Sequence, residues 1–283
     1  ARTVHGDEVV VTFGECIVAY LAAKSGGSMR RHLDALTERF GETRVKDMTN
    51  KVIHDYALKT LPDVKNSTRN ACVIEPIRAV LNHAATLNMI AKPSIPAFDD
   101  DSSRVVGASP AWVNEFLTRS ENAKLKAFVA FCTTTGARCI DARKLLASDI
   151  DYAEGTATLR YTKNGKDRVV QIGPIAPLLR ELPVSSDGRV FKWDTTTAVN
   201  VALAGECKKL GLEVYSSHQV GRHAFAERML NAGHTLLEVA EMGGWDDLQV
   251  LKRNYGHLEK RRTDAIAREK AAELMRATLR VVK

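Results

Sequence analysis

The sequence lacks what a disulfide-framed, membrane-spanning or nucleotide-hydrolysing protein needs. Its five cysteines, Cys16, Cys72, Cys132, Cys139 and Cys207, are odd in number and scattered, with no C-x-x-C pair. That argues against a disulfide framework or a structural zinc and for a reducing compartment. No apolar run approaches the ~18 residues of a membrane span. The opening stretch "ARTVHGDEVVV" has none of the features of a signal peptide. There is no Gly-rich P-loop, no H-E-x-x-H and no dinucleotide fingerprint. His218 and His223 are five apart, a spacing that turns them to different faces of a helix, so no shared metal is expected. Internal repeats and low-complexity blocks are also missing.

What is present is an ordinary globular composition with a basic tilt. The 283 residues suggest about two domains, and 45% hydrophobic content suffices for a sizeable core. Lys and Arg outnumber Asp and Glu by 41 to 34, a net charge of +7 that points weakly to anionic partners. Residues 1–92 read as a helical bundle. "TFGE" is a capping box with Thr12 as N-cap and Glu15 at N3. A second helix runs to Gly41, and a third follows Thr49 and meets Pro62. A fourth, from about Ser67 to Asn88, carries Pro76 as an expected kink. Residues 93–109, with prolines, an acidic triplet and small polar residues, read as a linker. Residues 110–283 mix helices with "TATLRYTKNGKDRVVQI", two strand-like runs around Asn164-Gly165 that suggest a hairpin. The fold class expected is mainly α with a small antiparallel β-sheet: a helical bundle followed by an α+β domain and a charged C-terminal helix from about Leu258.

The chemistry-bearing residues are cations and donors rather than metal ligands. Arg138 follows "TTTGA", Lys163 and Lys166 flank Asn164-Gly165, and His218 and Arg222 sit in "SSHQVGRHAF". Trp245 follows a glycine pair, and Tyr255 lies in "KRNYGHL". Singly, each has an ordinary structural reading: a solvated helix arginine, a turn lysine, a core histidine, a core tryptophan, a half-buried tyrosine ring. Together they meet the needs of a phosphodiester attacked by a hydroxyl. Two guanidinium forks hold the non-bridging oxygens, and a lysine protonates the leaving oxygen. A cationic site offsets the phenol's ordinary pKa of about 10. That chemistry requires neither cofactor nor metal.

In this order the set resembles the tyrosine recombinase (lambda-type phage integrase) family. "TTTGARCIDARKLLASDID" resembles its box I, with Arg138 as first catalytic arginine and Asp141 as supporting carboxylate. "LRYTKNGKDRVVQI" resembles its lysine hairpin, with Lys163 as catalytic lysine. "HQVGRHAFAERMLNAGHTLLEVAEMGGW" resembles box II and supplies His218, Arg222 and Trp245, the last two 23 residues apart as in the family. "YGHL" resembles the nucleophile motif, with Tyr255 as nucleophile. "STRNACVIEPIRAVLNHA" resembles the last helix of the family's core-binding domain, with Ser67, Thr68 and Arg69 as DNA-backbone contacts. Two spacings depart from the pattern. His218 stands four residues before Arg222 where three is common, and ten residues separate Trp245 from Tyr255, one more than usual.

The resemblance implies a site-specific recombinase that cleaves and rejoins double-stranded DNA through a 3′-phosphotyrosine. Arg138 and Arg222 would clamp the phosphate, Lys163 would act as general acid and Lys166 would contact DNA. His218 would exchange the tyrosine proton or orient the phosphate. It further implies recombination-site DNA as partner, a homotetramer on synapsed DNA from a free monomer, and an accessory DNA-bending or directionality factor. The expected setting is the bacterial cytoplasm, on the nucleoid. The alternative is a non-catalytic DNA-binding regulator on the same fold, for which Tyr255 would be dispensable. Tyr215, beside Ser216-Ser217-His218, is the rival nucleophile.

Overall fold

A computed structural model of the chain describes residues 10–24, 27–99, 105–160 and 165–281. The chain divides into two compact units, Ala1–Ser103 and Arg104–Lys283.

The first unit is built from α1 (Phe13–Ala23), α2 (Arg30–Phe40), α3 (Asn50–Thr60), α4 (Asn66–Arg69) and α5 (Glu75–Thr86). Thr12 and Glu15 form the reciprocal capping box at the start of α1. Phe13, Cys16, Ile17 and Tyr20 recur at helical spacing and bury against Leu33, Leu36 and Phe40 of α2, Ile53 and Ala57 of α3, and Ile77, Val80 and Leu81 of α5. Each large apolar side chain so buried contributes about 1.5–3 kcal/mol. The helix expected from Ser67 to Asn88 is not simply kinked at Pro76. A π-turn, Asn70–Ile74, precedes the proline, and the Glu75 N–H reaches back five residues to the Asn70 carbonyl. The wider turn accommodates a ring that has no N–H to donate.

In the second unit, α6 (Pro110–Arg119) leads to α7 (Ala123–Thr135). Leu125, Ala127, Phe128, Val129, Ala130, Phe131 and Cys132 are all buried, so α7 is apolar around most of its circumference and forms the centre of the core. After α8 (Cys139–Arg143) come β1 (Ile150–Asp151), β2 (Thr156–Leu159) and β3 (Arg168–Gln171), an antiparallel sheet in the order β1-β2-β3. Its β2–β3 register runs from Thr156↔Gln171 to Leu159↔Arg168. The described ladder ends at Leu159↔Arg168, and the expected turn, with Lys163 and Asn164, lies outside the described residues. At its end the charged Arg160 turns away from the ladder to Asp149, at 2.6 Å. Then follow α9 (Ala176–Arg180), α10 (Thr196–Leu210), a second π-turn at Gln219–His223, α11 (Ala224–Asn231), α12 (Leu236–Gly243) and α13 (Leu248–Val281). The C-terminal helix thus begins ten residues before Leu258 and carries Tyr255 within it. Leu251 and Tyr255 anchor it in a cluster with Phe225, Leu230, Leu236 and Val239. Among the described residues, no helix is long and apolar enough to cross a membrane.

Candidate active site

Two helix C-termini supply the floor of the site. α7 ends at Gly136 (φ 63°) and α12 at Gly244 (φ 68°), both in the left-handed conformation that glycine adopts without a Cβ penalty. Their last carbonyls have no partner within the helices and attract cations. Arg222 answers from the π-turn. Its Nη1 donates to the Gly136 carbonyl at 2.8 Å and to the Gly243 carbonyl, and its Nη2 to the Gly244 carbonyl at 3.0 Å. Its guanidinium carbon lies 3.6 Å from the centre of the Trp245 ring, which also stacks on Phe225. Of the five N–H groups of a guanidinium, the Nε–H and one Nη2–H are left over among these contacts. They form an adjacent pair suited to two oxygens of one phosphate.

Arg138 is the N-cap residue of α8, where the chain leaves Gly136. Its guanidinium is 3.8 Å from the Asp141 carboxylate, which is buried. Burial raises the Asp141 pKa, and Arg138, Arg168 and Arg222 oppose that rise. Arg168 of β3 donates through Nη1 to the Thr135 carbonyl at 3.2 Å and the Met242 carbonyl at 2.9 Å. It therefore ties the sheet to the same two helix ends as Arg222. Burial first, then neighbouring arginines, holds Arg222 down to about 9. Burial first, with Arg138 adding to it and Asp141 opposing, holds Arg168 down to about 10. Both stay charged at neutral pH.

The extra residue between His218 and Arg222 is absorbed by the π-turn. The Ala224 N–H bonds back to the Gln219 carbonyl, an i→i+5 closure that uses more residues per turn than an α-helix. Gly221 allows this turn to lie against α7. A Cβ there would stand 3.0 Å from Cys132 Cβ and 3.3 Å from the Ala137 carbonyl oxygen. The same widening corrects the expectation that His218 and His223 face different ways, since their rings meet edge to face at 4.8 Å between centroids. Among the described residues no group of His, Cys, Asp or Glu is placed to hold a metal ion.

Arg138, His218, Arg222, Trp245 and Tyr255 line one open cleft of about 380 Å³, with Asp246, Asp247 and Val250 at its edge. The His218 ring is open to the cleft on one side. Loss of solvent around the rest of it, then the charges of Arg222 and Arg138, lowers its pKa. The Tyr255 hydroxyl is not bonded to His218. It shares a hydrogen bond of 2.5 Å with Nδ1 of His223. Tyr255 is 3% and His223 7% exposed. Burial, then Glu227, raises the Tyr255 pKa against the pull of Arg222. Burial, then His218, lowers that of His223 to about 4, so the imidazole is neutral at neutral pH. The rival Tyr215 donates to Glu213 at 2.7 Å and packs by its edge on Trp112, and it does not line the cleft.

Lys163 lies outside the described residues, and Lys166 is exposed. In the first unit Ser67 and Thr68 are exposed, but Arg69 is turned inward. It donates to the Leu61 carbonyl at 2.9 Å, to Asn66 Oδ1 at 2.8 Å and to the Pro62 carbonyl. Arg69 thus satisfies the end of α3 and is turned inward here, where the expectation was a DNA-backbone contact. Sequence reasoning also missed two residues of the site. In the sequence His223 reads only as a candidate metal ligand, and Arg168 has no assigned role. Arg168 leaves a faint signal, a charge in the same strand register as the buried Val170.

The curated relatives include the tyrosine recombinase XerA of Saccharolobus solfataricus, 24% identical over 199 residues, which cover 69% of this chain and 66% of that one. The integrase of Escherichia phage 186 is 30% identical over 141 residues, 49% of this chain and 39% of its own. The chain thus spans less than two thirds of either relative. Among solved structures, the fold is similar to the Tn1549 transposon integrase in complex with transposon right end DNA. The TM-score is 0.70 at 17% identity, over 91% of this chain and all of that one. It is also similar to the XerH recombinase bound to a palindromic difH substrate, with a TM-score of 0.60 at 14% identity over 87% and 79% of the two chains. Residues 110–262, more than half of the chain and the stretch that carries every side chain of the cleft, match the model of the phage integrase family, and the chain belongs to that family.

Proposed function

We propose that the chain is a site-specific recombinase that cleaves and rejoins DNA strands. The observation that carries this reading is the cleft itself: one tyrosine and two arginines line it together, and one arginine has N–H donors beyond those it gives to backbone carbonyls. In the proposed reaction Tyr255 Oη attacks the scissile phosphorus. The bond to the 5′ oxygen breaks, leaving a 3′-phosphotyrosine and a free 5′-hydroxyl. Arg138 and Arg222 neutralise the charge that develops on the non-bridging oxygens. Lys163 is the proposed proton donor to the leaving oxygen, and His218, open to the cleft, orients the phosphate. The 5′-hydroxyl of a partner strand reverses the step, so the phosphodiester energy is kept in the adduct. Duplex DNA is the proposed partner, with Ser67, Thr68 and Lys166 among the backbone contacts and a homotetramer as the synaptic form. The DNA-bound states of the transposon integrase and of XerH support that partner.

The test uses a library of nicked duplexes with a randomised central segment and a denaturing gel. The chain should form covalent protein–DNA adducts with a selectable subset. Tyr255→Phe should form none, while binding DNA within about threefold of wild type, because only one hydroxyl is lost. Adducts that persist in Tyr255→Phe and vanish in Tyr215→Phe reassign the nucleophile. No adduct from any variant or from the wild type removes the reading.

A further inference from the structure

The proposed reaction needs somewhere for the phenol proton to go, and the open-cleft histidine does not touch that phenol. His223 does. Its Nδ1 is 2.5 Å from Tyr255 Oη, the two rings meet at 61° with centroids 5.6 Å apart, and both residues are buried. We propose that His223 is the proton acceptor of Tyr255. As Oη bonds to phosphorus, the O–H bond breaks and its proton passes to Nδ1. The P–O5′ bond breaks at the other end, and O5′ takes its proton from the general acid. Rejoining runs backwards: Nδ1 returns the proton to the phenol oxygen as the phosphotyrosine bond breaks. This inference rests on the recombinase reading.

The placement of His223 follows from the π-turn. In a continuous α-helix the residue after Arg222 would point elsewhere, whereas the i→i+5 closure sets the His223 ring edge to face against His218 and within hydrogen-bond reach of Tyr255 on α13. The charged and titratable groups around the pair are His218 from the preceding turn, Arg222 beside it, and Glu227 on α11, whose carboxylate also bonds the Gly107 N–H at 3.0 Å. In the free protein these surroundings keep the imidazole neutral and the phenol protonated, so the acceptor is ready and the nucleophile quiet. A phosphate entering the cleft brings negative charge toward the imidazole and favours its protonated form. Proton transfer is thereby tied to the presence of substrate.

The experiment is single-turnover cleavage of a library-selected nicked duplex by wild type and by His223→Asn. Asn keeps an acceptor near the Nδ1 position but cannot take a proton. Cleavage by His223→Asn should fall by at least ~10²-fold at pH 7, the low end for loss of a general base. Between pH 7 and 9 its rate should climb by about tenfold for each pH unit, as hydroxide replaces the missing base, while wild type stays nearly flat. A deficit of the same size at every pH marks a packing role and overturns the proposal, as does wild-type cleavage at pH 7. If the variant does not fold, the ¹⁵N resonances of His223 in the wild-type protein decide. Nδ1 should read as an unprotonated acceptor at pH 7, and a protonated Nδ1 overturns the assignment. Wild type that forms no adduct with any duplex removes the recombinase reading and this inference with it, whereas adducts with an unimpaired His223→Asn remove the inference alone.

Discussion

At the scale of the residue, the proposed reaction gives Arg222 two jobs that only a guanidinium combines. Three of its N–H groups hold backbone carbonyls at the ends of α7 and α12, and an adjacent pair is left for substrate. A lysine has three donors on one point and cannot span both. Arg222→Lys should therefore lose at least ~10²-fold in cleavage rate and also lower the denaturation midpoint, because carbonyls of Gly136, Gly243 and Gly244 lose their donors. Single-turnover kinetics and a melting curve check the two effects together, and near-wild-type cleavage by the lysine variant would remove the fork from the argument. Arg138, Arg222 and Tyr255 are legible in the sequence because short local motifs surround them. His223 and Arg168 are not, because their roles depend on where an i→i+5 turn and a strand register carry them. Neither property leaves a recognisable residue pattern. The inward turn of Arg69 is hidden for a related reason: a basic residue beside Ser and Thr looks solvent-facing until the carbonyls at the end of α3 are found within its reach.

At the scale of the element, the helices were legible from caps and periodicity. Thr12 accepts a backbone N–H at the start of the helix it was expected to cap, and Thr49 and Thr235 do the same at α3 and α12. Wide turns are harder to see. Both π-turns sit where an α-helical reading runs into trouble, one before Pro76 and one where His218 and Arg222 are a residue too far apart. The end of α12 gives a sharp test of packing. A Cβ on Gly243 would stand 2.0 Å from Cζ3 and 2.6 Å from Cε3 of Trp245, with the Phe225 ring at 3.1 Å. Gly243→Ala should displace the indole from Arg222 and cost about 1–3 kcal/mol, read as a lower denaturant midpoint and a red-shifted tryptophan emission. The two residues share one contact, so the costs should not add. Gly243→Ala made in a Trp245→Ala background should lose much less, and equal losses in both backgrounds would refute the clash.

At the scale of the whole molecule, a buried histidine makes stability depend on pH. The folded-state pKa of His223 lies at about 4, below its ordinary 6.5, so the fold favours the neutral ring. Its contribution is complete above about pH 6.5 and is lost as pH falls toward 4, because the unfolded chain binds the proton first. His218 acts in the same direction. Asp141, whose pKa is raised, acts oppositely at the acid end of that window. Stability of the second unit should therefore fall between pH 7 and 5, with His223 contributing about 2 kcal/mol of the loss. Trp112, Trp193 and Trp245 all lie in that unit, so urea unfolding followed by tryptophan fluorescence reports it without interference from the first. His223→Asn should flatten the slope, and an unchanged slope would place the titrating group elsewhere. One element ties the cleft to the outer surface of this unit. α13 is a single helix of 34 residues, about 50 Å long, pinned near one end by Leu251 and Tyr255 and exposed over most of the stretch past Lys260. It is a lever with the proposed nucleophile beside its fulcrum. Sideways travel of several ångströms at the far end is geared down to a small fraction of that at the phenol, while rotation about the helix axis arrives undiminished and turns the hydroxyl toward or away from His223.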